Sequence, residues 1–129
     1  MKNSTPMRPT NYQLTQRFHF DAAHTLERDI ETESSRRIHG HTYTAEITIA
    51  GTPDAPGGMV MDLAYLRAIV DDVRLKLDHR LLNEVDGLVR PTLEGLCAFI
   101  WDQLADPLPG LARVMVGRES SGAGGAVVR

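Results

Sequence analysis

The chain has 129 residues, a formal net charge of −3 and one cysteine. This length suffices for one domain with a substantial core, and the weakly acidic balance argues against a nucleic-acid or membrane surface. A single cysteine excludes a disulfide framework and a cysteine-based zinc finger. Since the N-terminus lacks the apolar run of a signal peptide, we expect a cytoplasmic protein. We interpret residues 1–12 as a flexible N-terminal arm and 13–129 as one domain.

Alternating apolar residues predict two strands in the first half of the chain. The first runs from Gln13 to His24, and the second begins at His39. The polar segment 25–35 between them is predicted to be a loop.

Two helices and two short strands are predicted to follow. Asp62 is placed to cap a helix that runs to about Leu77, and Thr92 to cap a second helix with an apolar stripe. The apolar segments 111–116 and 125–129 are predicted to form the last two strands. This order indicates an α+β fold.

Three of the five histidines are placed to share one face of the first two strands. His39 and His41 flank one glycine, and an extended chain projects residues i and i+2 to the same side. His24 ends the neighbouring strand. If the strands pair antiparallel, the three imidazoles converge, as in a catalytic zinc site with an open position. Imidazole also suits copper, nickel and iron, and the alternative is a set of sheet histidines bonded to neighbours or solvated.

A second pair with chemical potential is Asp78 and His79, at the end of the first predicted helix. A carboxylate beside an imidazole fixes its tautomer and raises its basicity, which suits a general acid or base. The alternative is that His79 bonds the last helix carbonyls while Asp78 caps a turn. His19 has the opposite parity from His24, and we expect it to be a surface or packing residue.

Six short motifs occur in a fixed order between about Phe18 and Glu119. They read FHFDAAH, HGH, GGMVMDL, LDHRLLN, PTLE and RES. In this order and spacing they resemble the family of 6-pyruvoyl-tetrahydropterin and 6-carboxytetrahydropterin synthases. The resemblance implies the tunnelling fold (T-fold), an α+β fold of order ββααββ with a four-stranded antiparallel sheet and two helices on one face. It also implies a homohexamer of two trimers, with sites between subunits.

The resemblance also implies roles for the two groups of polar residues described above. His24, His39 and His41 match the three ligands of one Zn²⁺ per subunit. Asp78 and His79 match two members of a Cys-Asp-His catalytic triad.

Further resemblance concerns pterin binding. Thr92 and Glu94 match a PTxE motif near the substrate pocket, and Glu119 matches the glutamate that grips the pterin ring. The family pattern there is Val-x-Val-x-Glu-Thr, and this chain has one extra residue. Glu119 therefore faces the pocket only if Gly117 makes a β-bulge, and otherwise it is a solvent-facing residue at a strand end.

The third member of the triad is absent. The cysteine of 6-carboxytetrahydropterin synthases stands four residues before HGH, where this chain has Ser35, and that of the pyruvoyl type stands at the position of Glu33. Some relatives use a glutamate at the position of Arg36. Cys97 lies on the apolar stripe of a helix, so we expect it in the core. A serine hydroxyl is far less acidic than a thiol, and Ser35 or Glu33 is the candidate replacement.

The resemblance implies a zinc-dependent pterin lyase acting on 7,8-dihydroneopterin triphosphate. The expected activity is that of 6-carboxy-5,6,7,8-tetrahydropterin synthase, which serves queuosine biosynthesis. Pyruvoyl-type elimination and aldolase-like cleavage of the dihydroneopterin side chain are variants. The missing thiol favours a second hypothesis, a paralogue that binds zinc and a pterin without turnover, whereas the intact Asp78–His79 pair argues against it. A structural domain with unrelated histidines would require six accidental matches.

Overall fold

A single sheet runs through the computed structural model, which describes residues 8–129. The sheet order is β3-β1-β2-β4-β5. Helix α2 packs on β1, and α3 packs on β4 and β5. The strands are β1 (Tyr12–His24), β2 (His39–Gly51), β3 (Arg80–Leu81), β4 (Leu111–Arg118) and β5 (Ala123–Val128), and the helices are α1 (Thr32–Arg36), α2 (Leu63–Leu77) and α3 (Leu93–Leu104).

The long antiparallel pair of β1 and β2 positions the histidines. His24 is paired with His39, and Ala22 with His41, so these residues share one end and one face of the sheet. That face continues into the core through Phe20 and Tyr43, whose rings stack with centroids 4.9 Å apart. Because side chains alternate between the two faces of the sheet, the three imidazoles lie on the same face as the buried apolar residues.

The opposite face of the same two strands is polar. Thr15 and Thr48 are hydrogen-bonded across the strands, and Arg17 pairs with Glu46. His19 lies on this face with its Nδ1 3.1 Å from Oγ1 of Thr44, as its parity predicts. One face of these two strands thus belongs to the helix-covered core, and the other is a polar surface that carries charge.

Both predicted helix caps are confirmed. The Asp62 carboxylate accepts a hydrogen bond from the backbone N–H of Ala64 (2.8 Å), and the Thr92 hydroxyl accepts one from that of Gly95 (3.0 Å). These bonds satisfy N–H groups that a helix start leaves without intrahelical partners. The helices then bury their apolar stripes against the sheet, with a core that includes Leu66, Val70, Val73, Leu77, Leu96, Ile100 and Leu104.

The α+β fold class is confirmed, but the sheet is not four-stranded. Residues Arg80–Leu81 add a fifth strand that pairs parallel with Ala22–Ala23. Its position is fixed by a hydrogen bond from the backbone N–H of His79 to the carbonyl of Asp21 (2.6 Å). A two-residue strand has no alternation to detect, so the sequence pattern could not predict it.

The predicted loop 25–35 was wrong in part, because it contains most of α1. This helix has five residues and a polar sequence, so it shows no apolar periodicity. Of the predicted N-terminal arm, residues 1–7 lie outside the described residues, and Tyr12 already belongs to β1. Within residues 8–129, no helix has the length and apolar character needed to cross a membrane.

Candidate metal centre and active site

Three imidazoles converge at the shared end of β1 and β2. The ring centroids of His24 and His39 are 4.5 Å apart, and each lies 5.0 Å from that of His41. One nitrogen of each ring lies within 4.8 Å of those of the other two. His24 is buried, while the other two are partly exposed, so one side of the cluster is open.

Backbone carbonyls orient two of these rings. Nδ1 of His24 lies 2.7 Å from the carbonyl oxygen of Pro91, and Nδ1 of His39 lies 2.7 Å from that of Arg37. A carbonyl only accepts, so each Nδ1–H donates and each neutral ring keeps its lone pair on Nε2. Metal-binding histidines are commonly fixed in this way by a partner on the second nitrogen.

The spacing of two of the ring nitrogens fits a bound metal ion. Nε2 of His24 and Nε2 of His41 are 3.2 Å apart. Two nitrogens bound tetrahedrally at 2.0–2.1 Å would stand about 3.3 Å apart. Burial, the Arg118 guanidinium and the neighbouring rings lower the pKa of His41 to about 4. Burial also lowers the pKa of His24. Neutral rings at neutral pH leave lone pairs that a cation can bind.

Asp78 and His79 lie beside β1 in a network that fixes the carboxylate. Asp78 Oδ2 is 3.0 Å from His79 Nδ1 and 3.1 Å from Nη2 of Arg74. Its Oδ1 accepts a hydrogen bond from the backbone N–H of Asp21 (2.9 Å). That bond is the main cause of a lowered pKa of Asp78, with His79 and Arg74 contributing.

The imidazole of this pair is presented outward. His79 has a φ of 59°, and 78% of its side chain is exposed. It lines a hollow of about 540 Å³ together with Gly40 and His41, so it opens on the same end of the sheet as the histidine cluster. A left-handed non-glycine residue is uncommon, and such residues are concentrated at functional sites.

The position of the missing thiol is held by a buried side chain. Ser35 is only 4% exposed and lies in α1, and it does not line the pockets on either side of the histidine cluster. Glu33 is exposed in the first turn of the same helix. Cys97 is buried, with its Sγ 3.4 Å from the carbonyl oxygen of Gly125, and burial raises its pKa. The expected core role of Cys97 agrees with this placement.

A second pocket, of about 410 Å³, lies on the α3 side of the cluster. It is lined by His24, Tyr43, Arg118 and the predicted substrate residues Thr92 and Glu94. The Thr92 hydroxyl is already bonded to the helix start, whereas Glu94 is exposed in the first turn of α3. The pocket therefore brings the PTxE segment and the histidine cluster together.

Glu119 does not line this pocket. Gly117 pairs with Thr44 in regular register, and the one register shift between β2 and β4 lies near Thr48, so Gly117 makes no bulge. Glu119 is exposed in a short 3₁₀ turn after β4. The face of Val114 and Val116 continues instead into Arg118, whose Nη1 lies 3.3 Å from Nε2 of His41. Sequence reasoning missed Arg118, although strand parity from the two valines points to it.

The family model for 6-pyruvoyl tetrahydropterin synthase matches residues 13–127. The chain belongs to this family. A 6-carboxy-5,6,7,8-tetrahydropterin synthase of Synechocystis is 38% identical over 105 residues, covering 77% of this chain and 80% of the relative. A dihydroneopterin monophosphate aldolase of Pyrococcus furiosus is 35% identical over 98 residues, covering 76% and 79%.

The fold is also shared with solved structures. The 6-pyruvoyl tetrahydropterin synthase of Caenorhabditis elegans superposes with a TM-score of 0.80 at 22% identity, over 96% of this chain and 99% of that one. The predicted family and its T-fold are thereby confirmed. The family consists of pterin lyases, and activities named among the relatives include synthases and an aldolase.

Proposed function

We propose that this protein is a zinc-dependent lyase acting on 7,8-dihydroneopterin triphosphate, of the 6-carboxy-5,6,7,8-tetrahydropterin synthase type. The single observation that carries the proposal is the convergence of three imidazoles, with the Asp78–His79 pair at the same end of the sheet. The similarity to the Synechocystis synthase supports the reaction type. With this reaction type we also propose a place in queuosine biosynthesis.

Zinc held by His24, His39 and His41 would supply Lewis acidity toward the hydroxyl groups of the pterin side chain. The chain's own contribution is to hold two of these rings in the correct tautomer. The carbonyls of Pro91 and Arg37 do so for His24 and His39. Burial lowers the pKa of His24 and of His41, which favours the neutral imidazoles that a cation binds.

The proton-transfer role falls to His79. Its Nδ1 faces the ionised Asp78, which holds the ring in one tautomer and leaves Nε2 free to exchange a proton with a ligand. Arg74 and the backbone of Asp21 keep the carboxylate in place. The exposed imidazole thus has a fixed orientation without being enclosed by its own chain.

We propose a homohexamer of two trimers in which neighbouring subunits enclose this imidazole. Among the described residues, β3 covers only Ala22–Ala23 of the outer edge of β1, and no strand pairs with the outer edge of β5. Such edges favour pairing with another chain. Apolar side chains also stand exposed on segments next to the site: Ile30 is 73%, Ile38 68% and Val89 91% exposed. Light scattering would test the assembly.

Aldol cleavage of the dihydroneopterin side chain is the second candidate function. The resemblance to the Pyrococcus aldolase supports it, as does the absence of a thiol near the histidine cluster, since Cys97 is buried in the core. Cleavage of a carbon–carbon bond beside a hydroxyl needs a base for that hydroxyl, and His79 can provide one. A paralogue that binds zinc and a pterin without turnover remains the non-catalytic alternative, because Ser35 is buried.

The experiment is a product assay with dihydroneopterin triphosphate on zinc-loaded protein, wild type beside Ser35→Cys. We expect the wild type to form a 6-carboxytetrahydropterin and the variant to form it at a similar rate, because the side chain at position 35 is buried and lines neither pocket beside the cluster. A faster variant would mean that a thiol at position 35 does reach the substrate. Release of a hydroxymethyl pterin would support the aldolase instead. Pterin binding without product in both proteins would indicate the non-catalytic paralogue, and absence of binding would contradict the proposal.

A further inference from the structure

Two buried donors in the pocket beside α3 have no acceptor. The hydroxyl of Tyr43 and Nε of Arg118 are both buried, and neither finds a hydrogen-bond partner within residues 8–129. Tyr43 is only 1% exposed, and both residues line the pocket of about 410 Å³. Buried polar groups nearly always have partners, and a guanidinium can only donate. Two residues that line the pocket therefore carry buried donors for which the described chain provides no acceptor.

The charge of Arg118 also lacks a counterpart. It forms no ion pair with any carboxylate of the described residues. Its Nη1 stands 3.3 Å from Nε2 of His41, a predicted metal-ligand atom. A dication held by three imidazoles would add like charge close by, since none of these ligands is negative. Partly buried positive charge of this kind is stabilised by an anion.

Neither carboxylate that lines the pocket forms an ion pair with Arg118. Glu27, at the rim, is paired with Arg36 at 3.4 Å. Glu94, in the first turn of α3, lines the pocket and is free to accept N–H bonds from a pterin ring. The resemblance puts the ring-gripping glutamate after Val-x-Val-x, and by strand parity Arg118 stands there. The family's glutamate accepts hydrogen bonds from N–H groups at that position, whereas Arg118 donates hydrogen bonds to oxygen atoms.

We propose that Arg118 and Tyr43 together bind an anionic oxygen group, a carboxylate or a phosphate, carried by the pterin ligand. The site then prefers pterins with an acidic substituent over neutral ones. This inference rests on the proposed pterin function and adds a specificity determinant to it. Arginine suits the role because its planar fork can donate two parallel hydrogen bonds to such a group.

The test is calorimetric binding to the full-length, zinc-loaded protein, with ligand pairs that differ in charge. Pterin-6-carboxylate is compared with 6-hydroxymethylpterin, and dihydroneopterin monophosphate with dihydroneopterin. We expect the wild type to favour the charged member of at least one pair, and the pair that responds identifies carboxylate or phosphate. Arg118→Gln should weaken binding of the charged ligand at least about tenfold. The affinity of this variant for neutral ligands should stay within about twofold of the wild-type affinity.

Two further variants keep the test decisive. Arg118→Lys retains the charge but not the fork, so we expect intermediate affinity for the charged ligand, and this variant carries the test if Arg118→Gln does not fold. Tyr43→Phe should weaken binding of the same ligand less than Arg118→Gln does, because it removes only one neutral donor. Circular dichroism and zinc content, measured on every variant, establish that fold and metal binding are retained.

Two results would overturn the inference while the pterin function stands. One is an equal loss of affinity for charged and neutral ligands in Arg118→Gln, which would mean that the substitution affects the pocket in general. The other is unchanged affinity for every ligand. If the wild type binds no pterin, charged or neutral, the proposed function fails, and this inference fails with it.

Discussion

The two imidazole sites of this protein differ in how much of the chain holds them. The rings of His24 and His39 are each fixed by a backbone carbonyl, and His24 is 2% exposed. His79 is fixed on one side only, by Asp78, and 78% of its side chain is exposed. One chain thus orients the proposed metal ligands by itself but leaves the proposed acid–base residue largely exposed. On the proposed function, metal binding is a property of the single chain, whereas turnover requires an assembled pocket.

The largest effect should come from removing a metal ligand. We expect His39→Ala to reduce bound zinc from one per chain to background, because two imidazoles leave a structural or catalytic zinc short of protein ligands. Elemental analysis of protein made without a histidine tag measures this. The matched control is His19→Ala, on the opposite face of β1, which should keep full zinc content. Equal zinc content in both variants would exclude the histidine cluster as the metal site.

The acid–base pair should be nearly as sensitive, but in rate rather than in zinc content. We expect Asp78→Asn to lower kcat by a factor on the order of 10²–10⁴, because His79 loses the carboxylate that holds its ring in one tautomer. Zinc content and KM should change little. Asp71→Asn is the control, since Asp71 also approaches Arg74, at 3.9 Å, without touching His79. A similar loss of rate in both variants would point to Arg74 rather than to the pair.

The smallest effect concerns the segment that orients His24. Thr92 caps α3 directly after Pro91, whose carbonyl binds Nδ1 of His24. Thr92→Ala should lower the free energy of unfolding by about 1 kcal/mol, and Thr92→Ser should restore most of it. Chemical denaturation measures both. If Thr92→Ala raises KM without changing stability, the residue contacts substrate and is not primarily a cap.

Strand parity predicted much of the site from the sequence. Alternation placed His24, His39 and His41 on one face, and the same rule applied from Val114 and Val116 would have found Arg118. Strand parity could not predict the tertiary contacts of the site. The carbonyl of Pro91 reaches His24 across 67 residues, and the two-residue strand at Arg80 depends on a backbone bond to Asp21 rather than on any side-chain pattern. Neither contact leaves a periodic trace in the sequence.

The most direct measurement is X-ray absorption at the zinc edge, on zinc-loaded protein with and without dihydroneopterin triphosphate. Our account predicts three imidazole nitrogens at about 2.0–2.1 Å and a further light-atom ligand. Adding the pterin should change only that last ligand, because the protein ligands are fixed before substrate binds. Fewer than three nitrogen ligands would contradict the histidine centre. An unchanged spectrum in the presence of bound pterin would contradict a role for the metal in the reaction.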